Sequence, residues 1–210
     1  MVQRVSAYID GSNFYHLCKA NFGIVRVNYS NLINDMLEDG EELNKIHFFS
    51  ATVDRMEKPE VASSQQKFFA QLQRDSHVIM HTGKLVKRHL NDIWVQCSVC
   101  KKQLATDVNC PKCGRVVFLR NVERSVEKGV DVQLAITMLV DALNDEYDVA
   151  LLFSSDADMK PSVMYIIQKT EKEVDYCHFP KPFTGDLVNS CSGTRRMNQA
   201  LIEAHRIHRE

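Results

Sequence analysis

The chain has 210 residues, a formal net charge of −1, 44% hydrophobic residues and 25% charged residues. This length and composition exclude a mini-protein and leave room for one α/β domain with an insertion, but they indicate no function. No apolar run approaches the ~18 residues of a membrane span, and the N-terminal MVQRVSAYIDGSN lacks a signal-peptide pattern, so we expect a soluble cytoplasmic protein.

Charge is distributed unevenly along the chain. The segment 84–128 contains ten Lys or Arg against four Asp or Glu, a local charge of +6 that leaves −7 elsewhere. A basic segment on an acidic body indicates either a polyanion contact confined to that segment or a solvated charged surface.

The first part of the chain alternates between strand and helix patterns. The predicted elements are a strand over 3–9, a helix capped by Ser12 or Asn13, a helix capped by Asn28 or Ser30 and closed by Gly40, a strand over 43–53, a helix from Pro59 and a strand over 77–80.

The alternation stops between 85 and 126, where only 93–95 and 116–119 resemble strands. It resumes with a helix over 129–143, which is apolar almost all round and is predicted to be deeply buried. Further predicted elements are a strand over 149–153, a helix from Pro161, a strand over 173–178 and a terminal helix over 195–207. This order predicts a three-layer α/β/α domain with a mainly parallel sheet over 1–84 and 124–210, with an inserted module over 85–123.

Four aspartates fall where this architecture would collect them. Asp10 ends the first strand, Asp156 and Asp158 follow the unbroken apolar strand 149–153, and Asp131 lies in the first turn of a helix. A turn would explain Asp10 alone, and helix capping would explain Asp131 alone. Together the four would meet at one sheet edge, where clustered carboxylates bind Mg²⁺ or Mn²⁺.

Three segments resemble NYN domains, including the LabA-like proteins, within the PIN and FLAP nuclease superfamily. They are YIDGSN at 8–13, EKGVDVQLA at 127–135 and LLFSSDADM at 151–159. The resemblance implies a PIN-like fold and a metal-dependent ribonuclease. The aspartates that correspond to its acidic metal site are Asp10, Asp131, Asp156 and Asp158. It also implies that Asn13 and Ser154 organise the site or contact phosphate, and that Lys128 steers the substrate backbone.

Two positions depart from the family pattern. Ser155 stands where many relatives have Gly, and Thr137 stands where relatives often carry a further acid. The pair Asp156 and Asp158 also resembles the nucleophile loop of haloacid-dehalogenase-like phosphatases, but Lys160 replaces their usual Thr or Val. A von Willebrand A metal site is a weaker match, because Phe14 replaces its second Ser.

The insertion contains two C-x₂-C pairs separated by nine residues, formed by Cys97, Cys100, Cys110 and Cys113. Four thiolates at this spacing predict a tetrahedral structural Zn²⁺, and the segment resembles a zinc ribbon. The basic side chains of this module that we expect to contact nucleic acid are Lys101, Lys102, Lys112 and Arg115. Protein docking is the alternative use of this module.

The sequence therefore predicts a Mg²⁺- or Mn²⁺-dependent ribonuclease that hydrolyses RNA phosphodiester bonds, with the four aspartates holding metal and accepting the water proton. The alternative is a non-catalytic RNA-binding or protein-binding adaptor. Met197, Leu201 and Ile202 on the predicted terminal helix would serve a homodimer as readily as the core.

Overall fold

The computed structural model describes residues 2–89, 99–100, 107–118 and 123–207. The strands in these ranges are β1 (Gln3–Asp10), β2 (Glu41–Thr52), β3 (Val78–His89), β4 (Asp107–Asn109), β5 (Val116–Phe118), β6 (Glu123–Lys128), β7 (Val149–Phe153), β8 (Glu173–His178) and β9 (Gly193–Arg196). The α-helices are α1 (Gly11–Phe22), α2 (Tyr29–Asn34), α3 (Pro59–Leu72), α4 (Val130–Leu143), α5 (Lys160–Lys169), α6 (Gly185–Val188) and α7 (Gln199–Ala204). A short 3₁₀ helix spans Ala157–Met159.

Seven of the described strands form one sheet in the order β6-β3-β2-β1-β7-β8-β9. Its pairings are parallel except that between β3 and β6, which confirms the predicted mainly parallel sheet. The chain moves from β1 to β2 and β3 on one side and returns to place β7 on the other side. The carboxyl end of β1 is therefore a topological switch point, where open α/β sheets form their ligand sites.

Two separate cores cover the two faces of this sheet. Val5, Ala7 and Ile9 of β1 pack with α1, α2 and α3, whereas Tyr8 faces the core formed with α4 and α5. The alternation arises because successive side chains of a strand point to opposite faces. Helix layers on both faces confirm the three-layer α/β/α architecture, and none of the described helices is long and apolar enough to cross a membrane.

The prediction that α4 is deeply buried is correct for only one of its faces. Leu134 and Met138 are fully buried against the sheet, but Val132 and Ile136 are 63% and 55% exposed. Val132 and Ile136 lie on the face of the helix that points away from the sheet. The apolar composition of α4 therefore predicted more burial than the structure has.

The predicted terminal helix over 195–207 is wrong in its first part. Arg195 lies on β9, which pairs in parallel with β8, and the helix α7 begins only at Gln199. The Arg195 guanidinium donates to Glu41 at 2.6 and 2.7 Å and to Asp175 at 2.8 Å, and all three side chains are largely buried. This ion-pair group holds Arg195 in the sheet.

The residues that suggested a homodimer belong to the chain's own core. Met197 and Ile202 are fully buried, and Leu201 packs against the same cluster. The surface that motivated the homodimer prediction is therefore not available to a second copy.

A polar group lies beneath α4 at the end remote from Asp131. Tyr8 donates to Asp141 at 2.8 Å, and the His47 and His81 rings contact through their nitrogens at 3.0 Å. The Nε2 atom of His47 lies 3.3 Å from Asp141 without a hydrogen bond, and His47 is only 4% exposed. Burial lowers the pKa of His47 to about 4, so the ring is neutral near pH 7.

The strands that flank the insertion are longer than predicted. The strand over 77–80 extends as β3 to His89, and β6 pairs with it antiparallel from Glu123 to Lys128. The sequence predicted no strand at β6, because its alternation of charged side chains carries no apolar signal. The strand-like piece 116–119 corresponds to β5, whereas 93–95 lies outside the described residues.

Candidate active site

Asp10 lies at the switch point between β1 and α1. Its carboxylate accepts the Asn13 backbone N–H at 2.9 Å and so caps α1, and Asp10 is 7% exposed. The residue after it must be small, because a Cβ on Gly11 would stand 2.5 Å from the Phe48 ring. Burial, with the charges of Glu127 and Asp131, raises the pKa of Asp10 to about 6.

The loop after β7 lies beside Asp10 because β1 and β7 pair in parallel. Asn13 accepts the Ser155 backbone N–H at 3.2 Å, which joins the start of α1 to this loop. Asp156 caps the 3₁₀ helix by accepting the Asp158 N–H at 2.9 Å. Ser154 is 1% exposed and accepts the Asp156 N–H at 3.3 Å, so its hydroxyl holds the loop.

Asp131 is supplied by the first turn of α4. Gly129 precedes the helix with φ 84°, a left-handed conformation that glycine adopts without strain. Partial burial and the charges of Asp156 and Asp158 raise the pKa of Asp131. Asp131 is thus linked electrostatically to Asp10 on one side and to the loop after β7 on the other.

Glu127 is an acidic neighbour that sequence reasoning missed. It lies on β6, accepts the Ala51 backbone N–H at 2.8 Å and adds to the negative potential at Asp10. The motif EKGVDVQLA contains Glu127, but only the antiparallel return of β6 along β3 carries its carboxylate to the end of β2. Lys128 follows at the exposed end of the same strand.

The donor chemistry of this edge fits a hard divalent cation. Carboxylate oxygens are the ligands that Mg²⁺ and Mn²⁺ prefer. Burial and, after it, neighbouring carboxylates raise the pKa values of Asp10 and Asp131, and a bound cation would favour the charged form of both. Within the described residues, however, no group of three His, Cys, Asp or Glu side chains is arranged to hold one ion. The acids are neighbours in the fold, but they do not converge on one point.

The NYN domain family matches residues 4–198, which include almost the whole chain. The chain belongs to the NYN domain family. NYN domains are part of the PIN-like nuclease superfamily. A crystal structure of VPA0982, a protein of unknown function from Vibrio parahaemolyticus, is similar in fold, with a TM-score of 0.58 and 15% identity over 93% of each chain. No curated protein matches the chain.

Ser155 and Thr137, the two departures from the NYN pattern, lie on the loop after β7 and on α4. The Ser155 hydroxyl contacts the Tyr176 hydroxyl at 2.9 Å, and the Ser155 carbonyl accepts the Thr184 hydroxyl, so this residue ties the loop to the β8 side of the NYN domain. Thr137 lies half-buried on α4, six residues after Asp131. It adds a hydroxyl but no charge to the helix.

The segment between β3 and β6 contains a cysteine-bearing hairpin. β4 and β5 pair antiparallel, and in the turn between them Gly114 donates to the Cys110 carbonyl at 2.8 Å. The backbone N–H groups of Cys113 and Lys112 point to the Cys110 sulfur and lower its pKa, which favours the thiolate.

Only part of the predicted zinc and RNA-binding residues can be placed. Cys100, Cys110 and Cys113 are free thiols in the described ranges, and Arg115 is exposed after the turn. The remaining predicted residues, Cys97, Lys101 and Lys102, lie outside the described residues.

Proposed function

We propose that this NYN domain is a Mg²⁺- or Mn²⁺-dependent ribonuclease whose active site lies at the carboxyl ends of β1 and β7. The observation that carries this proposal is that β1 and β7 pair in parallel, so that Asp10 and the loop with Asp156 and Asp158 lie at the switch point of the sheet. Asp131 is close enough to add to the negative charge there. These acids come from three chain segments far apart in sequence. Four neighbouring carboxylates destabilise a fold because like charges repel, so a function is the reason to keep them at one sheet edge.

The roles of the residues follow from their contacts. Asp10, Asp131, Asp156 and Asp158 would hold the metal, which when bound polarises water and stabilises negative charge on the scissile phosphate. Asn13 and Ser154 position the loop that carries Asp156, through the hydrogen bonds to Ser155 and Asp156 backbone N–H groups. Lys128, exposed next to Glu127, supplies a cation for the substrate backbone.

The test is cleavage of end-labelled RNA by the purified protein in Mn²⁺, Mg²⁺ or EDTA, beside an Asp156→Asn variant. We expect cleavage in a divalent metal, and we expect both EDTA and the substitution to abolish it. Cleavage that persists in EDTA and in the variant would contradict the proposal and identify a contaminating nuclease.

A second candidate function is a non-catalytic RNA-binding or protein-binding adaptor. Two observations favour it: the described carboxylates do not form a three-ligand group, and Thr137 replaces an acid that relatives often carry. Either adaptor would leave every labelled RNA intact, and an RNA-binding adaptor would bind RNA with the same affinity in EDTA and in Mn²⁺.

We further propose that the segment between β3 and β6, residues 90–122, forms a zinc-ribbon module with Zn²⁺ held by Cys97, Cys100, Cys110 and Cys113. The predicted bounds 85–123 are too wide, because 85–89 and 123 pair within the central sheet. The β4–β5 hairpin and the N–H groups directed at the Cys110 sulfur support one half of this site. Its exposed Arg115, with Lys101 and Lys102, would contact RNA. Elemental analysis should find one zinc per chain in protein purified without chelator, and a value well below one would refute the module.

A further inference from the structure

A cleft of about 540 Å³ opens beside Asp10, between α1 and α3. Its lining includes Gly11 and Ser12, which directly follow Asp10 in the chain, and Glu127, which adds to the negative potential at Asp10. The cleft therefore lies next to the candidate active site. Its size lies within the ~300–1,000 Å³ range that is typical of small-ligand sites.

The walls of this cleft present aromatic and aliphatic surface to solvent. Tyr15 on α1 is 40% exposed and Val61 on α3 is 51% exposed, with Phe69 behind them. The Tyr15 ring meets the His16 ring edge-on, with 5.2 Å between centroids. An exposed tyrosine ring in a cleft of this kind is suited to stack on a flat, apolar face.

The opening between α1 and α3 is braced. Gln65 on α3 donates to the Ala51 carbonyl at 2.9 Å and accepts the Val53 N–H at 2.9 Å, which fixes α3 to the end of β2. The cleft is therefore held open by side-chain contacts to the backbone at the sheet edge.

A wider trough continues from the cleft along the outer face of α3. The two share Arg26 and Ser64, which are 3.3 Å apart and hydrogen-bonded, and the trough adds the exposed Lys67 and Arg74. Its lining has three cations against one carboxylate, Glu60. This cationic line contrasts with the net charge of −7 that the chain carries outside 84–128.

We propose that the cleft binds one unpaired nucleobase of the RNA, stacked on Tyr15, and that the trough carries the adjoining phosphates along Arg26, Lys67 and Arg74. This inference rests on the proposed ribonuclease function, and it adds a subsite beside the four aspartates that does not use the predicted zinc ligands. Aromatic stacking next to a line of cations is the combination by which proteins hold single-stranded nucleic acid. A duplex cannot present a base to the cleft without unpairing it.

The test is fluorescence anisotropy with a fluorescein-labelled 12-nucleotide single-stranded RNA of mixed sequence, in EDTA so that the probe stays intact. Tyr15→Ala should weaken binding about tenfold, because a stacked base contributes ~1–3 kcal/mol, whereas Tyr15→Phe should keep the affinity. Lys67→Glu should also weaken binding and reduce the salt dependence of log K by about 0.7. The same RNA annealed to its complement should bind at least about tenfold more weakly.

Matched controls lie on α5, which packs on the opposite face of the sheet. Tyr165→Ala and Lys169→Glu alter exposed residues of the same types, and both should leave the affinity unchanged. Equal effects of the α3 and α5 charge reversals, unchanged binding by Tyr15→Ala, or no binding by the wild-type protein would each overturn the inference.

The same measurements separate this inference from the proposed function. RNA binding that depends on Tyr15 and Lys67, without cleavage in Mn²⁺, would refute the ribonuclease and would still support the base subsite. Cleavage in Mn²⁺ with affinity that is insensitive to Tyr15 and Lys67 would support the ribonuclease and refute the subsite.

Discussion

Replacing the Asp10 carboxylate by an amide should stabilise the metal-free protein. Asp10 is 7% exposed, and burial with the charges of Glu127 and Asp131 raises its pKa from 3.8 to about 6. At 1.36 kcal/mol per pKa unit, this shift means that the charged form costs about 3 kcal/mol of folding stability at pH 7.5. Asp10→Asn removes the charge and keeps the oxygen that accepts the Asn13 N–H.

The assay is urea unfolding in EDTA at pH 7.5, with Asp39→Asn on an exposed loop as the matched control. We expect Asp10→Asn to raise the free energy of unfolding by up to about 3 kcal/mol and the control to change it by less than about 0.5 kcal/mol. Because the folded-state pKa is raised, the wild type recovers stability as pH falls through 6, so the advantage of the variant should shrink by pH 5. An Asp10→Asn variant less stable than the wild type in EDTA would refute this reasoning.

Two further stability predictions concern buried groups away from the acids. Burial lowers the pKa of His47 from 6.5 to about 4. The contribution of the neutral His47 ring to the free energy of unfolding is therefore complete above pH 6.5 and is lost as pH falls toward 4. Between pH 7.5 and pH 5 the wild type should therefore lose about 2 kcal/mol relative to His47→Phe in urea unfolding, and parallel pH profiles would contradict this. On α4, Leu134→Ala should cost about 2–5 kcal/mol because Leu134 is fully buried, whereas Ile136→Ala should change stability by less than about 1 kcal/mol. Equal losses in thermal or urea unfolding would show that the outward face of α4 is covered.

The sheet and the positions of the acids could be predicted because their signals are local. The unbroken apolar run of β7 indicates a strand covered on both faces, and an acid directly after such a strand must lie at the sheet edge. Asp156 follows from this rule, and Asp10 follows from the shorter apolar run 7–9 near the end of β1. The position of Asp131 could be predicted because it lies in the first turn of α4, the helix that precedes β7 in the chain.

The strands β6 and β9 could not be predicted because their stability comes from partners remote in sequence. β6 has charged side chains and forms only as the antiparallel return of β3, which is why Glu127 was missed. The local sequence around Arg195 predicts a helix. Arg195 lies in a strand because it pairs with Glu41 and Asp175, which are remote in sequence. Local propensity is overridden by tertiary contacts in both cases.

The cleft beside Asp10 could not be predicted from the sequence either. Tyr15 and Val61 lie on different helices, and nothing in either helix indicates that α1 and α3 stand apart at the end of β2. The bracing of α3 by Gln65 becomes evident only from its contacts with the backbone of Ala51 and Val53.

If the acids at the switch point cleave RNA with a divalent metal, two substitutions on α4 should have very different effects on cleavage. Asp131→Asn and Asp141→Asn make the same chemical change at opposite ends of α4, but only Asp131 is linked to Asp10 and Asp156. Under single-turnover conditions in Mn²⁺, Asp131→Asn should reduce the rate of RNA cleavage by about 100-fold or more, a loss of at least ~2.7 kcal/mol in transition-state stabilisation, and Asp141→Asn should leave the rate within a few-fold of the wild type. Cleavage by Asp131→Asn at the wild-type rate would show that this carboxylate takes no part in RNA cleavage and would contradict the proposed active site.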